Sequence, residues 1–229
     1  MIRQGFIPSI FNYCDQWCSR CSKSTQCRFF ANEQEQHLVD VEQNIKSEEL
    51  YIKIAENLSD AIGILEDLSS KFGINLNDLL PGPPPTLPES HNDLINQATI
   101  YGMEVNQWLN EFQNYVIHTF ELTGDNGKLS FPVVIEAVDV IRWYSILIGA
   151  KISGASYRLD EEDEYNMTGS AKVALIGLDR SMDAFTKILT EMPQYEDSIL
   201  VFLAKLAIIK QEVNQLFPDA DSFKRPAFD

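Results

Sequence analysis

The sequence has no cysteine outside one short stretch, few histidines and no long apolar run. All four cysteines lie between residues 14 and 27, and the 229 residues contain three histidines, His37, His91 and His118. With histidines this few and this far apart, no Ser/His/Asp catalytic set is visible. No run approaches the roughly 18 uninterrupted apolar residues of a membrane span. We therefore expect no membrane-spanning helix.

Basic residues are also scarce, since 18 lysines and arginines stand against 34 acidic residues and the net charge is −16. Such a surface repels phosphate backbones and anionic lipids. We therefore expect no binding to nucleic acid or membranes, and the acidic surface suits a basic protein partner. Residues 1–8 lack the apolar core of a secretory signal. This predicts a protein of the reducing cytoplasm.

The sequence lacks period-two alternation and has no hairpin turn between β-branched runs, so no sheet is predicted. Apolar residues instead recur in steps of three and four, which is the helical period. We predict an all-α fold: an antiparallel up-and-down bundle of four long helices plus extra helical pieces, with an N-terminal four-cysteine metal loop. The first long helix opens with Ser90 as its N-cap and runs to about Leu122. Pro132 takes the first position of the second helix, and Pro193 and Pro218 end the third and fourth.

Each predicted helix has one stripe of residues expected to face the core. The stripes are Leu94, Ala98, Tyr101, Val105, Trp108, Phe112 and Tyr115 in the first helix; Val134, Val138, Ile141, Ser145, Ile148 and Ile152 in the second; Ala171, Leu175, Leu178, Met182, Phe185 and Leu189 in the third; and Ile199, Phe202, Leu206, Ile209, Val213 and Leu216 in the fourth.

The chain divides into three predicted parts. Residues 1–29 form a cysteine-rich metal or cluster loop packed on the body, and residues 30–218 form the helical bundle. Residues 219–229 form a C-terminal tail that lies on the surface or docks through Phe223 and Phe228.

Two segments inside the bundle region have a distinct composition. Residues 30–72 carry further apolar stripes and are predicted to form either one kinked helix or two helices. Five of the ten prolines fall within residues 81–88. Since proline cannot continue a helix, this stretch is predicted to be an extended crossover over the bundle surface. The acidic run at 160–164 is expected to be a solvent-facing loop.

The four cysteines are spaced C-x3-C-x2-C-x5-C, at Cys14, Cys18, Cys21 and Cys27. Thiolates are the soft ligands that zinc and iron–sulfur clusters select. The two-residue gap between Cys18 and Cys21 lets the backbone turn so that both sulfurs face one point, with N–H groups available to them. In a reducing compartment clustered cysteines are metal ligands more often than disulfides. We therefore expect all four to be ligands of one site.

The run Cys18-x2-Cys21-x5-Cys27 resembles the last three ligands of the [4Fe–4S] loop in endonuclease-III-type DNA glycosylases. A similar run supplies the terminal cluster ligands of RecB-type nucleases. In the glycosylase loop six residues separate the first cysteine from the second, whereas three residues separate Cys14 from Cys18. The resemblance implies a [4Fe–4S] cluster. It implies no glycosylase activity, because the catalytic lysine and aspartate context has no counterpart here.

Two other metal proteins share part of the spacing. The spacing from Cys14 to Cys21 also matches radical-SAM enzymes. Their pattern has an aromatic residue before the third cysteine, whereas Ser19-Arg20 contains none. Those enzymes also leave one iron open, which Cys27 would close, and they need a βα barrel that an all-α chain lacks. Zinc would take the four thiolates as a closed tetrahedral site, although zinc modules commonly pair two C-x2-C knuckles and this loop has one.

These observations lead to three functional interpretations. The leading one is a [4Fe–4S] protein with a structural, redox or electron-transfer role. The alternative is a zinc-stabilised helical module that binds a protein partner. The third is an enzyme with an interhelical pocket near Arg142, Lys172 and Arg180, residues that would otherwise form interhelical salt bridges.

The chain as a whole resembles an uncharacterised bacterial family of helical proteins with an N-terminal cysteine loop. This resemblance implies no activity. The segments that carry it are residues 13–27, 140–144, 169–181 and 225–229.

Overall fold

The structure is a computed structural model, and several ranges of the chain are described in it. These are residues 5–7, 10–32, 87–123, 131–157 and 164–229. The predicted helical stripes beyond residue 32, the proline-rich residues 81–86 and most of the acidic loop at 160–164 lie outside the described residues. The chain divides into two compact units, one formed by Met1–Lys23 with Leu87–Asp229 and the other by Ser24–Thr86.

The first unit is built on four long helices, as the sequence predicts. They are α1 (Glu89–Thr123), α2 (Phe131–Ser156), α3 (Glu164–Glu191) and α4 (Glu196–Leu216). Every regular element among the described residues is helical, so the all-α prediction is confirmed. None of the helices in these ranges combines the length and apolar character that crossing a membrane requires.

Contacts between α1 and α4 show that neighbouring helices run antiparallel. Gln97 of α1 hydrogen-bonds Glu212 of α4 at 3.0 and 3.1 Å. Seven residues later in α1, Glu104 pairs with Lys205, which lies seven residues earlier in α4. Residue numbers therefore rise along one helix as they fall along the other. Contacts between α1 and α2, between α2 and α3, and between α3 and α4 show the same antiparallel arrangement.

The predicted core stripes account for most of the buried side chains. All six α2 residues are buried, as are the first five α4 residues, while Leu216 is partly buried. In α1 and α3, Trp108, Met182 and Leu189 are partly buried against the core. The hydrophobic period alone thus identifies which face of each helix is packed.

Two details of α1 differ from the prediction. The helix begins at Glu89, so Ser90 lies in its first turn, and the Pro88 carbonyl accepts the N–H of His91 at 3.0 Å in the place of the expected cap. Tyr115 is 45% exposed and is not a core residue. From the antiparallel register, Tyr115 lies beyond the point where α4 begins at Glu196, so α4 does not cover it.

The C-terminal tail docks on the bundle. Ala220 is fully buried, and the Phe223 ring packs edge-on against Tyr165 of α3 with centroids 4.9 Å apart. Arg225 and Asp229 close the tail by a bidentate ion pair, with Nε to Oδ2 at 3.0 Å and Nη2 to Oδ1 at 2.8 Å. The tail thereby becomes part of the wall of a pocket that the cysteine loop also lines.

Candidate functional site

The C-x2-C pair lies on a tight turn, as its spacing predicts. Residues Cys18–Arg20 form one turn of 3-10 helix, and the Cys21 amide donates to the Cys18 carbonyl at 3.2 Å. Gln16 precedes the turn with φ of +55°, in the left-handed region. This conformation costs a non-glycine residue about 1 kcal/mol or more, so the surrounding contacts must hold the loop in place.

The four thiols differ in exposure and in backbone contacts. None of them is in a disulfide; Cys14, Cys18 and Cys21 are half-buried and Cys27 is buried. The Lys23 amide donates to Cys21 Sγ at 3.4 Å, and in the second unit the Phe30 amide donates to Cys27 Sγ at 3.5 Å. Amide donors of this kind stabilise a thiolate and support the sulfur ligands of metal sites.

The turn brings the backbone of Cys18 and Cys21 together, while Cys27 belongs to the second compact unit. Within the described ranges, no three His, Cys, Asp or Glu side chains are grouped so as to hold a metal ion. The donor set itself suits zinc or an iron–sulfur cluster, because it consists of four thiols with amide donors on two of them.

Asp15 anchors the cysteine loop to two helices. Its Oδ2 accepts the Tyr144 hydroxyl of α2 at 2.7 Å and Nη1 of Arg180 of α3 at 2.7 Å. Arg180 Nη1 also donates to the Tyr144 hydroxyl oxygen, so the three groups form a closed triangle. The Asp15 carbonyl accepts Nε1 of Trp143 at 2.9 Å. The residue next to Cys14 is therefore held by both its side chain and its backbone.

Burial is the main cause that raises the pKa of Tyr144. The hydrogen bond and negative charge of Asp15 raise it further, and Arg180 acts in the opposite direction. The hydroxyl therefore keeps its proton at neutral pH and stays a hydrogen-bond donor to Asp15.

Aromatic stacking forms a second anchor. The Trp17 ring stacks on Trp143 with centroids 5.0 Å apart and an interplanar angle of 18°, and it meets Tyr144 edge-on at 6.1 Å. The Arg20 guanidinium lies over the Trp17 ring, 3.8 Å from its centroid, and forms a bidentate pair with Glu136 of α2. The residues that precede Cys18 and Cys21 are thus also bound to α2.

Lys151 is a buried cation beneath the loop. It is 7% exposed, and its Nζ donates to the Asn12 carbonyl at 3.3 Å. Burial lowers the pKa of Lys151, and the negative charges of Cys14 and Asp15 raise it. The Cys14 sulfur therefore lies within the electrostatic reach of the Lys151 side chain.

A polar pocket of about 380 Å³ lies between the loop, α2, α3 and the tail. Its charged lining residues are Asp15, Arg20, Glu136, Arg180 and Arg225. Trp17, Tyr144 and Phe228 supply aromatic surface, and Cys21 also lines it. The pocket combines guanidinium donors with apolar surface, which is typical of small-molecule sites.

A larger groove of about 610 Å³ lies between α1 and α2. Small and apolar residues such as Gly102, Met103, Ile146 and Gly149 line it, and none of its lining residues carries a titratable side chain. It offers hydroxyl groups but no titratable acid or base to activate them, so the smaller polar pocket is the better candidate for chemistry.

The polar pocket takes in one of the three cationic residues singled out from the sequence. Arg180 lines the polar pocket. Arg142 instead hydrogen-bonds Gln113 of α1 at 2.9 Å, and Lys172 donates to the Asp221 carbonyl of the tail. Arg142 therefore links α2 to α1 by hydrogen bonds, and Lys172 links α3 to the tail.

Sequence reasoning missed Asp15, Tyr144 and Arg225 as pocket residues. Tyr144 lies three residues after Ile141 and four before Ile148, so the helical period could have added it to the buried stripe of α2. Asp15 and Arg225 carry no such periodic signal.

Comparison of the chain with protein-family models, with curated proteins and with solved structures found no match.

Proposed function

We propose that Cys14, Cys18, Cys21 and Cys27 bind a [4Fe–4S] cluster in a cytoplasmic helical protein, where the cluster has a structural, redox or electron-transfer role. The supporting observation is the anchoring of the loop. The neighbour of each of the first three cysteines is bound to the bundle: Asp15 beside Cys14, Trp17 beside Cys18, and Arg20 beside Cys21. Because these anchored residues alternate with the cysteines, they hold the backbone of the first three cysteines in place.

Ligands that the fold already holds in place lose little further chain entropy when a metal binds, which favours affinity. The place of Cys27 in the ligand set rests on its sequence spacing, six residues after Cys21. Four cysteines outside disulfides and an acidic surface also fit a reducing compartment and a soluble role without nucleic acid. A bound cluster would supply one-electron transfer.

Zinc is the competing occupant, because the same turn and the same amide-to-sulfur contacts suit a zinc knuckle. In that case the loop stabilises a helical module whose acidic surface recruits a basic protein partner. The two occupants differ in colour and in metal content, so one preparation separates them.

The test is purification of the full chain under anaerobic conditions, with an absorbance spectrum and quantitative iron, sulfide and zinc analysis. A brown protein with a band near about 400 nm and about four irons per chain would support the cluster. One zinc and no colour would support the zinc module. A metal-free protein would contradict both.

Single Cys→Ser variants then test each ligand. Each substitution is expected to lower the metal content, because a hydroxyl is a poor ligand for either occupant. Ser19→Ala is the matched control, since Ser19 is an exposed residue of the same loop. Equal metal content in a Cys→Ser variant and in this control would remove that cysteine from the ligand set.

A further inference from the structure

The polar pocket concentrates positive charge in a strongly acidic chain. Three of the seven arginines, Arg20, Arg180 and Arg225, line it, together with the carboxylates of Asp15 and Glu136. The lining thus carries one net positive charge, whereas the whole chain carries −16. Asp229 and Asp139 pair with Arg225 and Arg20 from outside the lining, so the attraction for a small anion comes from guanidinium donors that remain open and not from net charge.

The Asp15 carboxylate does not present a free negative charge to the pocket. Its Oδ1 accepts the Trp17 amide at 3.3 Å, and its Oδ2 accepts both the Tyr144 hydroxyl and Arg180 at 2.7 Å. Both oxygens are therefore covered by donors. An anion that enters the pocket would therefore meet the donors that surround Asp15, and not a bare carboxylate.

Arg180 is the arginine with donors to spare. Its two hydrogen bonds, to Asp15 and Tyr144, both use Nη1, and its Nε and Nη2 make no hydrogen bond to any described residue. Its side chain is 51% exposed. Guanidinium donors that lie side by side match the geometry of a carboxylate or phosphate group.

The other two arginines are already engaged in bidentate pairs. Arg20 uses Nη1 and Nη2 on Glu136, and Arg225 uses Nε and Nη2 on Asp229. The paired carboxylates balance the charges of these two arginines, and Arg180 is left as the group that can bind a ligand. The Tyr144 hydroxyl fixes the orientation of Arg180 through their shared hydrogen bond.

The rest of the lining is apolar or aromatic. Val140 of α2 and Phe228 of the tail line the pocket together with Trp17. A volume of about 380 Å³ is within the range of small-molecule sites. A ligand with one anionic group and a compact flat apolar body would use both kinds of surface.

The geometry points to a binding site for a small organic oxyanion, a carboxylate or a phosphate monoester, whose anionic group is held by Nε and Nη2 of Arg180 and whose apolar part lies against Trp17, Val140 and Phe228. This inference does not depend on the metal, because it rests on the arginine contacts. Loss of the metal proposal leaves it standing, and its own failure leaves the metal proposal standing.

The test is isothermal titration calorimetry of the full chain, as isolated under reducing conditions, with benzoate and phenyl phosphate as probes. Benzamide, which has the same ring as benzoate and no charge, is the neutral comparison. Saturable binding of either anion that is at least about tenfold tighter than that of benzamide is expected. The tighter of the two anions tells which oxyanion the pocket takes.

Arg180→Gln is expected to weaken anion binding by about tenfold or more, because it removes both the charge and the fork. Arg142→Gln is the matched control: it removes an arginine of α2 that bonds Gln113 outside the pocket, and it is expected to leave binding within about twofold. Val140→Phe fills the pocket and keeps every charge, so it is expected to weaken binding even if Arg180→Gln does not fold.

Several results would overturn the inference. They are the absence of saturable binding by both anions, equal binding of benzamide and benzoate, equal weakening by the Arg142 and Arg180 substitutions, and undiminished binding in Val140→Phe. Each of these would mean that the pocket does not bind an oxyanion through Arg180.

Discussion

Removing the Tyr144 hydroxyl should weaken the attachment of the cysteine loop to the bundle. The side chain is fully buried, and its hydroxyl donates to Asp15 at 2.7 Å and accepts from Arg180. A hydrogen bond to a charged group contributes about 1.5–3 kcal/mol to stability. The Asp15–Arg180 pair survives the substitution, so the two lost bonds are not additive. We expect Tyr144→Phe to lower the free energy of unfolding by about 2 kcal/mol.

Tyr101→Phe is the matched control, because Tyr101 of α1 is equally buried. Burial raises the pKa of Tyr101 and the nearby Ser181 hydroxyl lowers it, yet neither hydroxyl reaches hydrogen-bonding geometry with a described residue. Deleting a buried hydroxyl that makes no hydrogen bond to a described residue removes a desolvation cost. We therefore expect Tyr101→Phe to leave stability unchanged or to raise it by up to about 1 kcal/mol.

The assay is urea unfolding of both variants and the parent chain under reducing conditions, followed by far-ultraviolet circular dichroism. The slope of the free energy against urea should be the same in all three, so that the midpoints report stability alone. Equal losses in the two variants, or a loss below about 0.5 kcal/mol in Tyr144→Phe, would refute the reasoning. Either result would mean that the Asp15 triangle does not hold the loop.

Other substitutions test helix packing and the tail. Gly102→Ala would place a Cβ 2.5 Å from the Ser145 carbonyl oxygen, and we expect it to lower the free energy of unfolding by about 1–3 kcal/mol. In Gly149→Ala the atoms nearest to the new Cβ lie at 3.8 Å, so we expect stability to stay unchanged or to rise by up to about 1 kcal/mol. Thermal unfolding compares the two, and similar costs would contradict the close approach of α1 and α2. Hydrogen bonds from Arg225 hold the pKa of Asp229 at about 2, below its usual 3.8, so their stabilisation is complete above pH 3.8 and is lost as the pH falls towards 2. Arg225→Gln should return this pKa towards 3.8 in a carboxyl-carbon NMR titration; an unchanged pKa would show that Arg225 is not the cause.

The bundle could be predicted from the sequence because burial follows a local rule. In α2, residues three and four positions apart fall on one face, and that face must be covered for the helix to be stable. Ile141, Ser145 and Ile148 are buried as this rule requires. The rule fails at Tyr115, whose burial depends on where a different helix begins, 81 residues later in the chain. Periodicity does not contain that information.

The site was only half visible for a similar reason. The cysteines can be picked out by their spacing, which is a local property of the sequence. The contacts that anchor the loop cannot, because Asp15 hydrogen-bonds Tyr144, 129 residues later in the chain, and Arg180, 165 residues later. No pattern within the loop marks Asp15 as a partner of helices so distant in sequence, and nothing in the tail marks Arg225 as part of the same pocket.

The alternation of thiols and anchors has an energetic consequence. The proposed metal binding by Cys14, Cys18 and Cys21 would order the same backbone as docking of the loop, so each would lower the entropy cost of the other. A metal that binds only the docked loop stabilises the docked state, and weaker docking must lower the apparent metal affinity by the same free energy. The pocket shares this backbone through Asp15 and Trp17. An occupied cysteine loop and an ordered pocket are therefore expected to favour one another.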